Sequence, residues 1–264
     1  MSYTYSARRK RQNIPVIWRI ILCFQAAMTA WIGFTHGSGI EVYLFRFAQW
    51  NYKAVWSLDH NIATAIAVLG LIVLFRGWGF FLALLSLLYL TETMLMSRFG
   101  GYVDNPYPLL GSAVHIVLPL AVLGFHNHRW AYRLLQLAIF ACLLSYFIYF
   151  FTAPQYFIDL IIQTHYNFGA VSMLSTQSAY ITLITLGVLL IASFFTPTRT
   201  ALMMIIVGAL SLYLTVDTAL RFGFWYLPES LLKLTLLFGV ILQWQLDPER
   251  KGSKRFPTLG GTYA

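Results

Sequence analysis

Charge is what this sequence has least of. Asp, Glu, Lys and Arg make up only 10% of its 264 residues, against about 25% in an ordinary soluble domain. Hydrophobic residues make up 59%, more apolar side chain than one water-soluble core of this size can hide. Cysteine is scarce too: Cys23 and Cys142 both fall in apolar runs, with no CxxC pair and no metal-ligand spacing. They read as small buried hydrophobes, and nothing in the sequence supports a disulfide between them. No GxGxxG, P-loop, HExxH or CxxCH motif occurs, which argues against a self-contained nucleotide enzyme or a c-type cytochrome.

What the chain has instead is long apolar runs, with a mean hydropathy of +0.68. A run of roughly 20 apolar residues spans a bilayer. Reading the runs between polar breaks predicts spans near 15–35, 57–75, 78–97, 109–125, 131–152, 169–195, 200–220 and 229–246. The breaks are chemically sensible: Arg76-Gly77, Asn105-Pro106-Tyr107-Pro108 and Thr196-Pro197-Thr198-Arg199 each interrupt the apolar pattern. The first span follows a basic cluster and resembles a signal peptide, but seven more runs follow it, so it reads as an uncleaved anchor. The expected class is therefore all-α: a polytopic membrane protein with eight transmembrane helices.

The net charge of +9 is topological on this reading. With the N-terminus cytoplasmic, thirteen of the eighteen Lys and Arg residues fall in inside segments, among them Arg8 to Arg11, Arg76, Arg129, Arg199 and the Arg250 to Arg255 tail. That is the positive-inside pattern. The expected partners are membrane lipids, including anionic headgroups, together with other membrane proteins. No nucleic-acid-reading module accompanies the charge. The expected location is a bacterial cytoplasmic (inner) membrane with both termini cytoplasmic. Tryptophan agrees, since Trp18, Trp78, Trp130 and Trp244 fall near one set of span ends and Trp31, Trp50, Trp56 and Trp225 near the other.

Two halves echo each other. Leu88-Tyr89-Leu90-Thr91 recurs as Leu212-Tyr213-Leu214-Thr215, and each is followed by Arg-Phe-Gly, at 98–100 and 221–223. Trp18-Arg19-Ile20 corresponds to Tyr132-Arg133-Leu134, and Ser112 opens the fourth span as Ser230 opens the eighth. Four spans return the chain to its starting side, so the expected arrangement is two parallel four-helix repeats. These are residues 1–128 and 129–247, with a cytoplasmic tail at 248–264. The segments Ile40 to Trp50 and Pro154 to His165 follow the first span of each half. Each reads either as a short amphipathic helix at the outer interface or as an ordinary packed loop.

Ionisable residues inside spans are costly and often functional. Glu92, His115, Asp217 and Lys233 qualify, and at 1.5 Å of rise per residue all four fall within roughly 10 Å of the outer span ends. Asp59 and His60 add polar groups at the same side. Asp59, His60, Glu92 and His115 form a candidate polar or metal pocket, able to ligate a cation or relay protons. They serve equally well as acid–base pairs locking the first half together. Asp217 with Lys233, and with Arg221 one turn on, reads as an intramembrane ion pair.

The four-span unit resembles the DoxX-like superfamily of small membrane proteins and, more distantly, the HTTM group. The carrying features are Arg19 and Arg133 early in the first span of each half, the outer segment that follows, and a charged third-span end before a short fourth span. The resemblance implies a multi-pass membrane subunit, redox- or respiration-associated, that works with partner proteins. A quinone or a metal ion is the cofactor class that would go with it. No catalytic motif of the vitamin K-dependent carboxylases occurs, so that activity is not implied. The alternatives are a transporter or channel, and a metal-dependent membrane enzyme using the outward-facing Glu and His residues.

Overall fold

The computed structural model describes residues 14–76, 79–99, 107–124, 128–155, 158–159, 161–162, 173–197, 200–223, 225 and 227–247. Among the described residues the chain is helical, with no strand. An apolar environment explains why. With no water to pair them, backbone N–H and C=O groups must bond within their own segment, and a helix does this.

Helices α1 (Val16–Thr35), α2 (Gly39–Arg46), α3 (Tyr52–Arg76), α4 (Gly79–Phe99), α5 (Pro108–Gly111) and α6 (Ala113–Leu123) build the first half. Helices α7 (His128–Thr152), α8 (Met173–Phe195), α9 (Ala201–Phe222), α10 (Leu227–Leu232) and α11 (Leu234–Leu246) build the second. Where they are described, all eight apolar runs are helical. Among the described residues, five candidate spans are long and apolar enough to cross a membrane: Val16–Arg46, Tyr52–Arg76, Gly79–Arg98, Arg129–Thr152 and Leu227–Leu246. The stretches Ala113–Leu123, Tyr180–Phe195 and Ala201–Val216 are apolar but shorter.

The large hydrophobics left outside fit a lipid-facing belt. Phe75, Phe80, Leu137, Ile181 and Phe195 are all well exposed, an arrangement that water would penalise and hydrocarbon accepts. Inside, small residues let helices approach closely, as membrane packing prefers. A Cβ placed on Gly70 would come within 2.6 Å of the Ala26 Cβ, and one on Gly33 within 3.0 Å of the Ala63 Cβ. The α1–α3 seam is thus built on glycine and alanine.

One core cluster joins α1, α3, α4 and α6, and it also takes in Leu242 and Leu246 of the last helix. Trp18, only 1% exposed, donates its indole N–H to Gln245 Oε1 at 2.9 Å. Sequence reading put Trp18 at the membrane interface; the structure puts it at that end but inside the bundle, because this contact gives its N–H a partner. Arg19 sends its guanidinium to the Leu74 and Phe75 carbonyls at 3.2 and 3.3 Å. These are orphan acceptors at the C-terminus of α3, where a cation is favoured.

The two halves meet through their broken helices. The short helix α5 packs on α7 of the other half, and α10 packs on α1. The segment after α1 is a true helix, α2, which lies against α3 and α4; of its counterpart, residues 154–155, 158–159 and 161–162 are described as helical. Both cysteines are free thiols.

Candidate functional site: a polar cavity between the broken helices

A cavity of about 180 Å³ lies where the broken helices of the two halves come together. It sits toward the end of the bundle opposite Trp18 and Gln245. Its first-half wall carries Thr29 from α1, Tyr89, Glu92 and Thr93 from α4, and His115 from α6. Its second-half wall carries Cys142 and Tyr146 from α7, with Glu229 and Lys233 from the α10–α11 break.

His115 is the best-held residue. Pro119, four residues on in α6, has no N–H, so the His115 carbonyl loses its helical donor. Gln25, 1% exposed, fills the gap: its Nε2 donates to the His115 carbonyl at 2.7 Å. The same amide lies 2.7 Å from His115 Nδ1, so Nδ1 accepts and the ring proton sits on Nε2. That assignment follows from the network. Thr29 Oγ1 donates to the Gln25 carbonyl at 3.0 Å and faces His115 Nε2 at 3.5 Å. The Tyr89 ring covers the imidazole at 4.2 Å between centroids, and Ser86 donates to the next α6 carbonyl, Ile116, at 2.6 Å. His115 is thereby a neutral imidazole fixed on every side. The Tyr89 hydroxyl, buried near Thr29, has no partner at ordinary hydrogen-bond geometry.

Glu92 faces the cavity differently. No hydrogen bond or ion pair holds its carboxyl among the described residues, and its electrostatic neighbour is another acid, Asp59. It also borders a second, much smaller space lined by Ser38, Asp59 and Ile62, so Glu92 and Thr29 form the wall between the two.

Asp59 itself is committed elsewhere. Ser38 caps α2, accepting from the Ile40 and Glu41 N–H groups at 3.1 and 3.4 Å. Its hydroxyl donates to Asp59 Oδ1 in a short bond, and its backbone N–H donates to Asp59 Oδ2 at 3.1 Å. Asp59 therefore pins the positive end of α2 to α3. His60, the next residue, points away by about 100°. It stacks on Trp56 at 3.9 Å and packs edge-on against Phe34, and its Nδ1 donates to the Trp56 carbonyl at 2.9 Å.

The four residues grouped from sequence are thus divided. Glu92 and His115 share the cavity, Asp59 lies beside it behind Glu92, and His60 lies in an aromatic cluster. Among the described residues no three His, Cys, Asp or Glu side chains stand at metal-binding spacing. Lys233 lines the same cavity rather than a separate one in its own half, because α10–α11 packs across to α1. The side chains of Asp217 and Arg221 lie outside the described residues. An acid that sequence reading passed over, Glu229, stands four residues before Lys233 and lines the cavity with it.

Cys142 is a small buried free thiol, as the sequence suggests; it also lies at the cavity wall and donates to the Gly111 carbonyl at 3.0 Å. Gln25, Thr29 and Pro119 were also passed over. The signals were present: two uncharged polar residues at i, i+4 in one span, and a proline inside another. The Ser38-Gly39-Ile40-Glu41 run is a capping-box pattern that foretells the start of α2.

Toward the other end of the bundle the core is closed. Leu22, Leu82, Leu118, Val122 and Leu242 are essentially without exposure. No family profile, curated protein or solved structure matches this chain.

Proposed function

We propose that this chain is an eight-span membrane protein of two tandem four-helix repeats that binds a small molecule between its halves. In this reading it serves as a redox- or respiration-associated subunit beside partner membrane proteins. The observation that carries the binding reading is the cavity itself, which gathers Glu92 and His115 from one half and Glu229 and Lys233 from the other. Polar groups at bilayer depth persist where they face protein, water or ligand. The reciprocal packing of α5 on α7 and α10 on α1 supports the two-repeat layout, and the shorter apolar helices supply the spans needed to complete eight. The DoxX-like resemblance supports the redox association, with a quinone head as the ligand class it suggests.

A channel or transporter needs a polar path through the bilayer. The closed leucine-rich end offers none among the described residues. A metal enzyme needs convergent ligands, and the division of Asp59, His60, Glu92 and His115 speaks against that set. Purification in mild detergent, with identification of co-purifying proteins, quinones, lipids and metals, tests the proposal. A stable complex or a retained quinone is the expected result. A solitary chain carrying stoichiometric metal that is lost on Glu92→Gln would overturn it. Reporter fusions that place Arg129 on the side opposite the N-terminus would defeat the eight-span layout.

A further inference from the structure

We infer that the cavity recognises a zwitterion, with Glu92 and the tyrosine faces taking an ammonium group and Lys233 taking an oxyanion. The inference rests on the cavity reading above and specifies its ligand; it is independent of the redox association.

Three observations carry it. First, charges of both signs line one space: Glu92 from α4 in one half, and Lys233 with Glu229, four residues before it, in the other. Glu92 is a carboxyl that no described residue holds, and a carboxylate in a confined site attracts a cation strongly. Tyr89 and Tyr146 line the same space, and aromatic faces favour ammonium groups. Second, the anion side is built for oxygen. A Lys ammonium carries three N–H donors, so a contact to the protein leaves donors for a ligand. The Tyr89 hydroxyl, buried near Thr29, adds a donor to the same lining.

Third, size and depth agree. At about 180 Å³ the cavity is smaller than the roughly 300 Å³ at which drug-sized pockets begin, and equals the volume of about six waters. A phosphoethanolamine-sized group fits that space. The cavity also lies toward one end of the bundle, where the headgroups of a surrounding bilayer would be. The chemistry is shared by two sources, a zwitterionic lipid headgroup and a free zwitterionic solute.

The test uses the purified full chain in detergent. Soluble phosphoethanolamine, ethanolamine and glycerol phosphate are titrated by calorimetry. Short-chain phosphatidylethanolamine and phosphatidylglycerol are added in a parallel native mass spectrometry arm. Phosphoethanolamine, or the phosphatidylethanolamine lipid, should bind at least about tenfold more tightly than the probes lacking one charge, as a charged hydrogen bond commands. Glu92→Gln should abolish the preference for the ammonium-bearing probe, and Lys233→Met the preference for the phosphate-bearing one. Binding of the soluble compound alone identifies a free solute, and binding of the lipid alone a headgroup. Tyr89→Phe, which deletes one hydroxyl and keeps the ring over His115, should weaken binding while leaving thermal unfolding unchanged, so a folding defect cannot mimic the result. Equal binding of all probes, or preferences unchanged in both charge variants, overturns the zwitterion while leaving a ligand cavity. No binding of any probe and no retained small molecule overturns the cavity reading as well.

Discussion

Two breaks in the molecule, α5 to α6 and α10 to α11, are built with different chemistry. In the first half, α5 stops at Gly111, α6 resumes at Ala113 and carries Pro119 four residues after His115. In the second, α10 stops at Leu232, α11 resumes at Leu234 and Leu237 stands four residues after Lys233. Aligning Arg19 with Arg133 matches Gln25 to Ile139. So the half with the proline has the buried amide, and the half without it has a fully buried isoleucine. The difference teaches that Gln25 is there to satisfy a carbonyl that Pro119 orphans, with the setting of the His115 ring as a second result. Where no carbonyl is orphaned, the same place in the bundle is apolar.

The comparison can be broken most severely at Gln25. Gln25→Ile should cost about 2–4 kcal/mol, since it strands a buried carbonyl and an imidazole nitrogen at once. Adding Pro119→Leu, which restores the missing N–H, should recover more than about 1 kcal/mol. A double-mutant cycle from equilibrium unfolding in detergent measures this coupling, and additivity of the two changes would refute the account. The reverse graft, Ile139→Gln, should cost about 1–3 kcal/mol, because it buries an amide with no orphan to serve; thermal unfolding followed by tryptophan fluorescence reads it. An unchanged midpoint would mean that the second half also leaves a carbonyl open.

Smaller effects sharpen the contrast elsewhere. Ser38→Ala removes the side-chain cap of α2 and one of the two donors to Asp59, the hydroxyl, and should cost about 1–2 kcal/mol. Hydrogen exchange should show protection falling over residues 39–46 while α7–α11 stay unchanged; uniform loss would show that α2 is not separable. At the glycines the sign itself should differ between halves. Gly70→Ala forces a methyl against Ala26 in the α1–α3 seam and should destabilise. Gly208→Ala meets only the Leu237 side chain at 3.6 Å and should stabilise by up to about 1 kcal/mol. Parallel melting curves of the two variants decide it, and shifts of the same sign would remove the distinction.

Membrane class and helix positions were legible because apolar runs report their own length. The helices bear out that pattern, although five rather than eight candidate spans are long and apolar enough on their own. α5 with α6 falls short on length, covering only 108–123, whereas the similar break at Lys233 leaves Leu227–Leu246 long enough. The meeting of Glu92 and His115 was legible too, since both lie a few residues from the same end. The sharing of that cavity with Lys233 was not: it depends on α10 crossing to α1, and no spacing within one half encodes a contact between halves. Asp59 and His60 look alike in sequence and diverge in space, because neighbours on a helix face different ways. Gln25 and Pro119 escaped notice because each is unremarkable alone, and only their pairing has a physical meaning.

The bond between Trp18 and Gln245 spans 227 positions of sequence, and Leu242 and Leu246 complete the core around Leu22 and Leu118. During synthesis, therefore, α1 leaves the ribosome long before α11 and waits for it before its buried face is covered. Until then that face must rest against lipid, insertion machinery or a partner. A chain cut short before α11 would leave the Trp18 indole N–H without its acceptor and the face around Leu22 and Leu118 uncovered.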